Sequence, residues 1–90
     1  MGEHKSHGGK LVKVIISIDE GRIHDIVITG DFFIEPPDAV QKLCEKLRNI
    51  GMNDYHLMER ALEDYVKRNN IMMLGVTVND FIEAIRKAFS

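Results

Sequence analysis

The stretch KLVKVIISIDEGRIHDIVITGDFFIEPP, from Lys10 to Pro37, decides the fold class. Val12, Val14, Ile16 and Ile18 recur at a spacing of two, and β-branched residues suit a pleated surface. Lys10 to Ile18 is therefore predicted to be a strand. Its other face, Leu11, Lys13, Ile15 and Ser17, is half apolar, so part of it should be covered by the rest of the chain or by a partner. Asp19-Glu20-Gly21-Arg22 is a turn in which Gly21 can take the positive φ of a tight hairpin. A second strand follows from Ile23 to Thr29, with Ile26 and Ile28 on one face and Ile23 and Val27 on the other. A lone hairpin is marginal in water, so helices must cover it.

The flanks supply those helices. Pro36-Pro37-Asp38 opens the first, because a proline in a first turn lacks only an N–H that would be unpaired there. Val40, Leu43, Cys44 and Leu47 form its apolar stripe, and Gly51 is expected to end it after Ile50. Asn53 or Asp54 caps a second helix to about Arg68, with Met58, Ala61, Leu62, Tyr65 and Val66 as its apolar face. Ile71 to Val76 reads as a short strand or a packed loop. Thr77 caps a last helix, with Asp80 as a partial capping box and Val76 and Phe81 as a hydrophobic staple. Val78, Phe81, Ile82, Ile85 and Phe89 are its core stripe. Residues 1–8 are expected to be a flexible N-terminal tail, and residues 9–90 one domain. The order predicts an α+β fold: a small antiparallel sheet built on an N-terminal hairpin, covered on one face by about three helices.

Composition narrows the function. Ninety residues build one small core, burying roughly 60–65% of the surface that the unfolded chain exposes. A fully lined substrate pocket would consume much of it, so binding is favoured over self-contained catalysis. The net charge is −2, and the twelve basic residues never cluster beyond a pair. That leaves no electrostatic drive toward nucleic acid. The N-terminus is polar and no long apolar run occurs, so neither a signal peptide nor a membrane span is expected. Cys44 is the one cysteine, which fits a reducing, cytoplasmic setting.

Few residues suggest chemistry. Cys44 lies on an apolar stripe, whereas a reactive thiol needs exposure and a nearby positive charge. His4 and His7 are three apart, but a metal site needs a third ligand and fixed geometry. Gly8-Gly9-Lys10 departs from a phosphate-binding loop: His4 stands where the first glycine belongs, Leu11 where Ser or Thr belongs, and a strand follows. Those glycines still allow backbone N–H groups to approach a phosphate held by another protein. Asp19-Glu20 and Glu63-Asp64 read as solvated surface charge, and Met52, Met58 and Met72-Met73 as core filler that in part could face a partner. Phe32 and Phe33 are adjacent, so in an extended chain they point to opposite faces. Only one can meet the hairpin core directly. The other packs under a helix or lies at a surface.

Gly8 to Val14, Glu20-Gly21-Arg22-Ile23, Ile28 to Phe33 and Pro36-Pro37 opening a helix together resemble one family, the C-terminal accessory domain of lipoate–protein ligases. In some archaea that domain is a separate small subunit, and this chain resembles that stand-alone form over essentially its whole length. The resemblance implies a heterodimer with a large catalytic subunit that makes lipoyl-AMP and lipoylates acceptor domains. The complex would use ATP, Mg2+ and lipoate. This chain would bind no cofactor alone and contribute no catalytic residue. On the residues of the motif, the docking face would include Gly8, Gly9, Lys10, Gly30, Asp31, Phe32, Phe33, Pro36 and Pro37. The family fold is also similar to sulfur-acceptor and iron–sulfur scaffold proteins, which need exposed cysteines. Those functions, or another small interaction module, are the alternative.

Overall fold

A computed structural model describes residues 1–89. Among them are five strands and three helices: β1 (Gly2–Lys5), β2 (Leu11–Asp19), β3 (Arg22–Gly30), β4 (Phe33–Glu35), α1 (Ala39–Leu47), α2 (Tyr55–Arg68), β5 (Met72–Leu74) and α3 (Val78–Phe89). Strands β1, β2 and β3 form an antiparallel sheet in that order, and β4 pairs antiparallel with β5. The helices cover one face of the larger sheet, so the α+β architecture is as the sequence predicts.

The β2–β3 hairpin closes on Glu20 and Gly21, both at positive φ, as a type I′ turn requires. A bulge then alters the expected pattern. Ser17 pairs with Asp25 but Ile18 pairs with Ile23, so His24 is the extra residue. Ile23, expected opposite Ile26 and Ile28, instead joins them on the buried face and is fully enclosed. Val12, Val14 and these three isoleucines pack under Leu43, Leu47, Met58, Leu62, Phe81 and Ile85.

Residues 1–8, read from the sequence as a flexible tail, contribute strand β1, with Gly2 opposite Val14 and Lys5 opposite Leu11. The cause is tertiary. A Cβ on Gly2 would clash with the carbonyl oxygen of Ala84 and lie 2.6 Å from Ala88 N, so only glycine lets β1 rest on the α3 backbone.

Helix α1 also ends earlier than expected, at Leu47. Asn49 N–H donates to Ile23 O (2.8 Å) and Ile23 N–H donates to Ile50 O (2.9 Å), so the following segment is drawn onto β3. Pro36 and Pro37 lie in the turn before α1 instead of within its first turn. Asp54 is the residue that caps α2, accepting from Leu57 N–H. The ambiguous segment 71–76 contains strand β5.

Candidate functional site

The motif residues were scattered along 30 positions of sequence; the fold gathers most of them at one corner. Its base is the β1–β2 turn. Ser6 is buried: its N–H donates to Lys10 O (2.8 Å), its carbonyl accepts from Gly9 N–H (2.8 Å), and its Oγ accepts from Lys10 N–H (3.1 Å). Gly9 takes φ +84° to close this turn. The Lys10 backbone is thus held on both sides while its side chain lies across Gly75, where an added Cβ would come 2.8 Å from Lys10 Cγ.

Asp31 locks the next layer. Its N–H donates to Leu11 O (3.2 Å) and its Oδ1 accepts from Leu11 N–H (2.5 Å). Gly30 is required just before it, because a Cβ there would clash with Leu11 O and lie 2.6 Å from the Phe32 ring. The chain therefore turns sharply out of β3 and into β4.

That turn separates the two phenylalanines. Phe32 faces inward, edge-on to Phe81 of α3 with ring centroids 5.4 Å apart. Phe33 faces out and is 52% exposed. In the β4–β5 ladder Phe33 stands opposite Leu74 and Glu35 opposite Met72, while Ile34 and Met73 turn inward. The outer face of this two-stranded sheet is thus Phe33, Leu74, Met72 and Glu35. Sequence reasoning missed Leu74 and Gly75, and read Met72 chiefly as core. The signal was weak, since Met72-Met73-Leu74 has no polar residue to mark which position faces water.

The remaining motif residues are Gly8, in the turn at the base of this corner, and Pro36 and Pro37, which follow β4. Gly8 is exposed in the β1–β2 turn with open space around its Cα. Pro37 lines a groove of about 420 Å³ between β3 and α1, with Ile28, Val40 and Cys44. Pro36 supplies the carbonyl that accepts from Ala39 N–H (3.0 Å).

Reactive chemistry has little to stand on here. Cys44 is only partly exposed in that groove, and burial pushes its thiol above the ordinary value of 9.0. The Asp25 carboxylate reinforces the shift, while the Ile28 backbone and Arg48 oppose it. Asp25, one of the polar residues lining the groove, is engaged: its Oδ1 accepts from Arg48 (3.2 Å) and from Ile26 N–H (3.0 Å). Among the described residues, no group of three or more His, Cys, Asp or Glu is arranged to hold a metal ion. His4 and His7 do not converge: His4 turns toward α3 to meet Asp80, and His7 is exposed in the turn. Among the described residues, no helix is long and apolar enough to cross a membrane. What the corner offers is a rigid apolar surface beside a cation, which suits recognition.

The family model described as the bacterial lipoate protein ligase C-terminus matches residues 3–85, which includes most of β1. Lipoate-protein ligase A subunit 2 from Thermoplasma acidophilum is 33% identical over 76 residues, covering 84% of this chain and 77% of the relative. A chain in the solved structure of an archaeal bi-partite lipoate protein ligase and its E2 lipoyl domain, also from Thermoplasma acidophilum, superposes with a TM-score of 0.81. It is 30% identical, with 94% of this chain and 91% of that one covered. The resemblance read from Gly8 to Pro37 therefore extends through the helices, and the chain belongs to the family of the lipoate protein ligase C-terminus.

Proposed function

We propose that this chain is the accessory subunit of a two-component lipoate–protein ligase. It docks on the large catalytic subunit and enables ATP-dependent activation of lipoate to lipoyl-AMP. The observation that carries the reading is the family match over residues 3–85, on a chain whose relative is itself a separate ligase subunit. Its surface chemistry is consistent with that: the motif corner presents exposed apolar side chains beside the Lys10 cation.

In the proposed reaction the lipoate carboxylate attacks the α-phosphorus of ATP and pyrophosphate leaves. ATP, Mg2+ and lipoate belong to the large subunit, as does transfer of the lipoyl group to an acceptor lysine. This chain acts by population shift: it binds the competent arrangement of its partner more tightly than the incompetent one. A swing from 1:99 to 99:1 needs a preference of roughly 10⁴-fold, so the docking face must be rigid enough to discriminate. The hydrogen bonds that hold Lys10 and Asp31 give it that rigidity. The sulfur-acceptor alternative lacks support, because its only thiol is the half-buried Cys44.

The test is to combine this protein with its cognate large subunit and measure lipoate- and ATP-dependent lipoyl-AMP formation, with each protein alone as control. Activity confined to the mixture is expected. A large subunit equally active alone, with no complex on gel filtration, would overturn the reading.

A further inference from the structure

Each sheet has an exposed apolar surface, and the two differ in kind. On the open face of the three-stranded sheet, Ile15 and Val27 form one cross-strand pair, 59% and 49% exposed. Their neighbours along the strands are Lys13 opposite Thr29 and Ser17 opposite Asp25. Exposed Met1 precedes Gly2, the partner of Val14, so this is a small patch with polar residues along both strands, and scattered apolar residues of that kind are ordinary on a protein surface.

The outer face of β4–β5 is different. Three of its four outward side chains are large and apolar: Phe33, Met72 and Leu74, each more than half exposed. This is the smaller sheet, where outward polar residues would cost the fold nothing. Phenylalanine and methionine are among the residues enriched at interfaces. The ladder also has charged ends. Lys10 reaches across Gly75 beside Leu74, and Glu35 stands opposite Met72. Neither Lys10 nor Glu35 makes an ion pair among the described residues. The result is a stripe about 10 Å long at ordinary strand rise, cationic at one end, apolar in the middle and anionic at the other.

We propose that this stripe is the surface by which the chain docks on the catalytic ligase subunit. The inference rests on the accessory-subunit reading. Its occupant is an apolar cleft of that subunit, with a carboxylate where Lys10 arrives and a cation where Glu35 arrives. Phe33 and Leu74 are the anchors, because they form a direct cross-strand pair and present one continuous apolar knob. The charged ends set the register and speed encounter.

The test titrates the cognate large subunit with four forms of this protein and follows binding by calorimetry. The forms are wild type, Phe33→Ser with Leu74→Ser, Ile15→Ser with Val27→Ser, and Lys10→Glu. The Phe33/Leu74 variant is expected to bind at least roughly thirtyfold more weakly, and the Ile15/Val27 variant within about threefold of wild type. Lys10→Glu should bind more weakly at low salt, with the difference shrinking as salt rises. Thermal melts establish that each variant is folded. If the double serine variant unfolds, Lys10→Glu and a fifth form, Glu35→Lys, carry the test, since both residues lie on the exposed surface. Wild-type binding with an undiminished Phe33/Leu74 variant would overturn the stripe while leaving the accessory role intact. So would loss of binding in the Ile15/Val27 variant alone, which would assign docking to the open sheet face. Failure of the wild type to bind would sink both.

Discussion

His4 Nε2 lies 3.0 Å from Asp80 Oδ1, joining the first strand to the first turn of the last helix across 76 residues of sequence. The other carboxylate oxygen, Oδ2, accepts from Thr77 N–H (2.8 Å) and from Thr77 Oγ1 (3.2 Å), while Thr77 Oγ1 accepts from Asp80 N–H (3.4 Å). Lys87 Nζ approaches His4 Nδ1 at 3.3 Å. An ammonium only donates, so Nδ1 accepts and Nε2 carries the proton given to Asp80. One carboxylate thereby closes the α3 capping box and holds β1 in place.

Asp80→Ala should remove both functions. Losing the carboxylate's half of the capping box costs about 1 kcal/mol, while Thr77 Oγ1 still accepts from the backbone N–H at position 80, and the bond from His4 costs about as much again. The total, about 2 kcal/mol, corresponds to roughly 8–16 °C in Tm for a domain of this size. His4→Ala should cost about half, because the bonds from Thr77 to the Asp80 carboxylate survive. Thermal melts by circular dichroism check both; equal losses would show that the cap is not independent of β1.

Phe32→Ala and Phe33→Ala should behave oppositely despite being neighbours. Phe32 packs on Phe81, so its truncation should cost about 2 kcal/mol in urea unfolding. Phe33 is exposed, so its truncation should stay within about 0.5 kcal/mol and act on complex formation instead. Equal destabilisation by both would contradict the turn at Gly30 that separates them.

Gly30→Ala should destabilise by about 1–3 kcal/mol, since the new methyl group meets the Leu11 carbonyl and the Phe32 ring. Gly8→Ala is the control: open space surrounds Gly8, and its cost should be near zero. Denaturant midpoints of the two variants decide the matter.

Lys10→Ala should leave stability almost unchanged and lower the stimulation of lipoyl-AMP formation. Asp31→Ala should lower both, because it also strips Leu11 N–H of its acceptor, at about 1 kcal/mol. If neither substitution alters activation by the mixed proteins, the motif corner is not where the subunits meet.

Cys44 should react slowly with a thiol reagent at neutral pH and quickly once the chain is unfolded. Burial raises its folded value, so the folded state keeps a proton that the unfolded state has lost. Its contribution to stability is therefore full below the ordinary value of 9.0 and declines as pH rises from there toward the raised folded value. Rapid labelling of the native protein would revive the sulfur-acceptor alternative.

By itself, the sequence determined the pieces whose causes are local. The alternation from Val12 to Ile16, the Gly21 hairpin, and the Thr77–Asp80 cap each follow from residues a few positions apart. The motif from Gly8 to Pro37 was also enough to indicate the family. Tertiary structure alone decided the rest. Gly2–Lys5 has no strand-forming pattern and becomes β1 because Gly2 and His4 meet α3, more than seventy residues away. The bulge at His24 brought Ile23 into the core, which no period-two reading can anticipate. Met72 and Leu74 face outward because three-residue β5 pairs with β4, and a run of large apolar residues carries no mark of its outer side. Side-chain direction in so short a ladder is set by its partner strand, so the docking stripe exists only once the chain is folded.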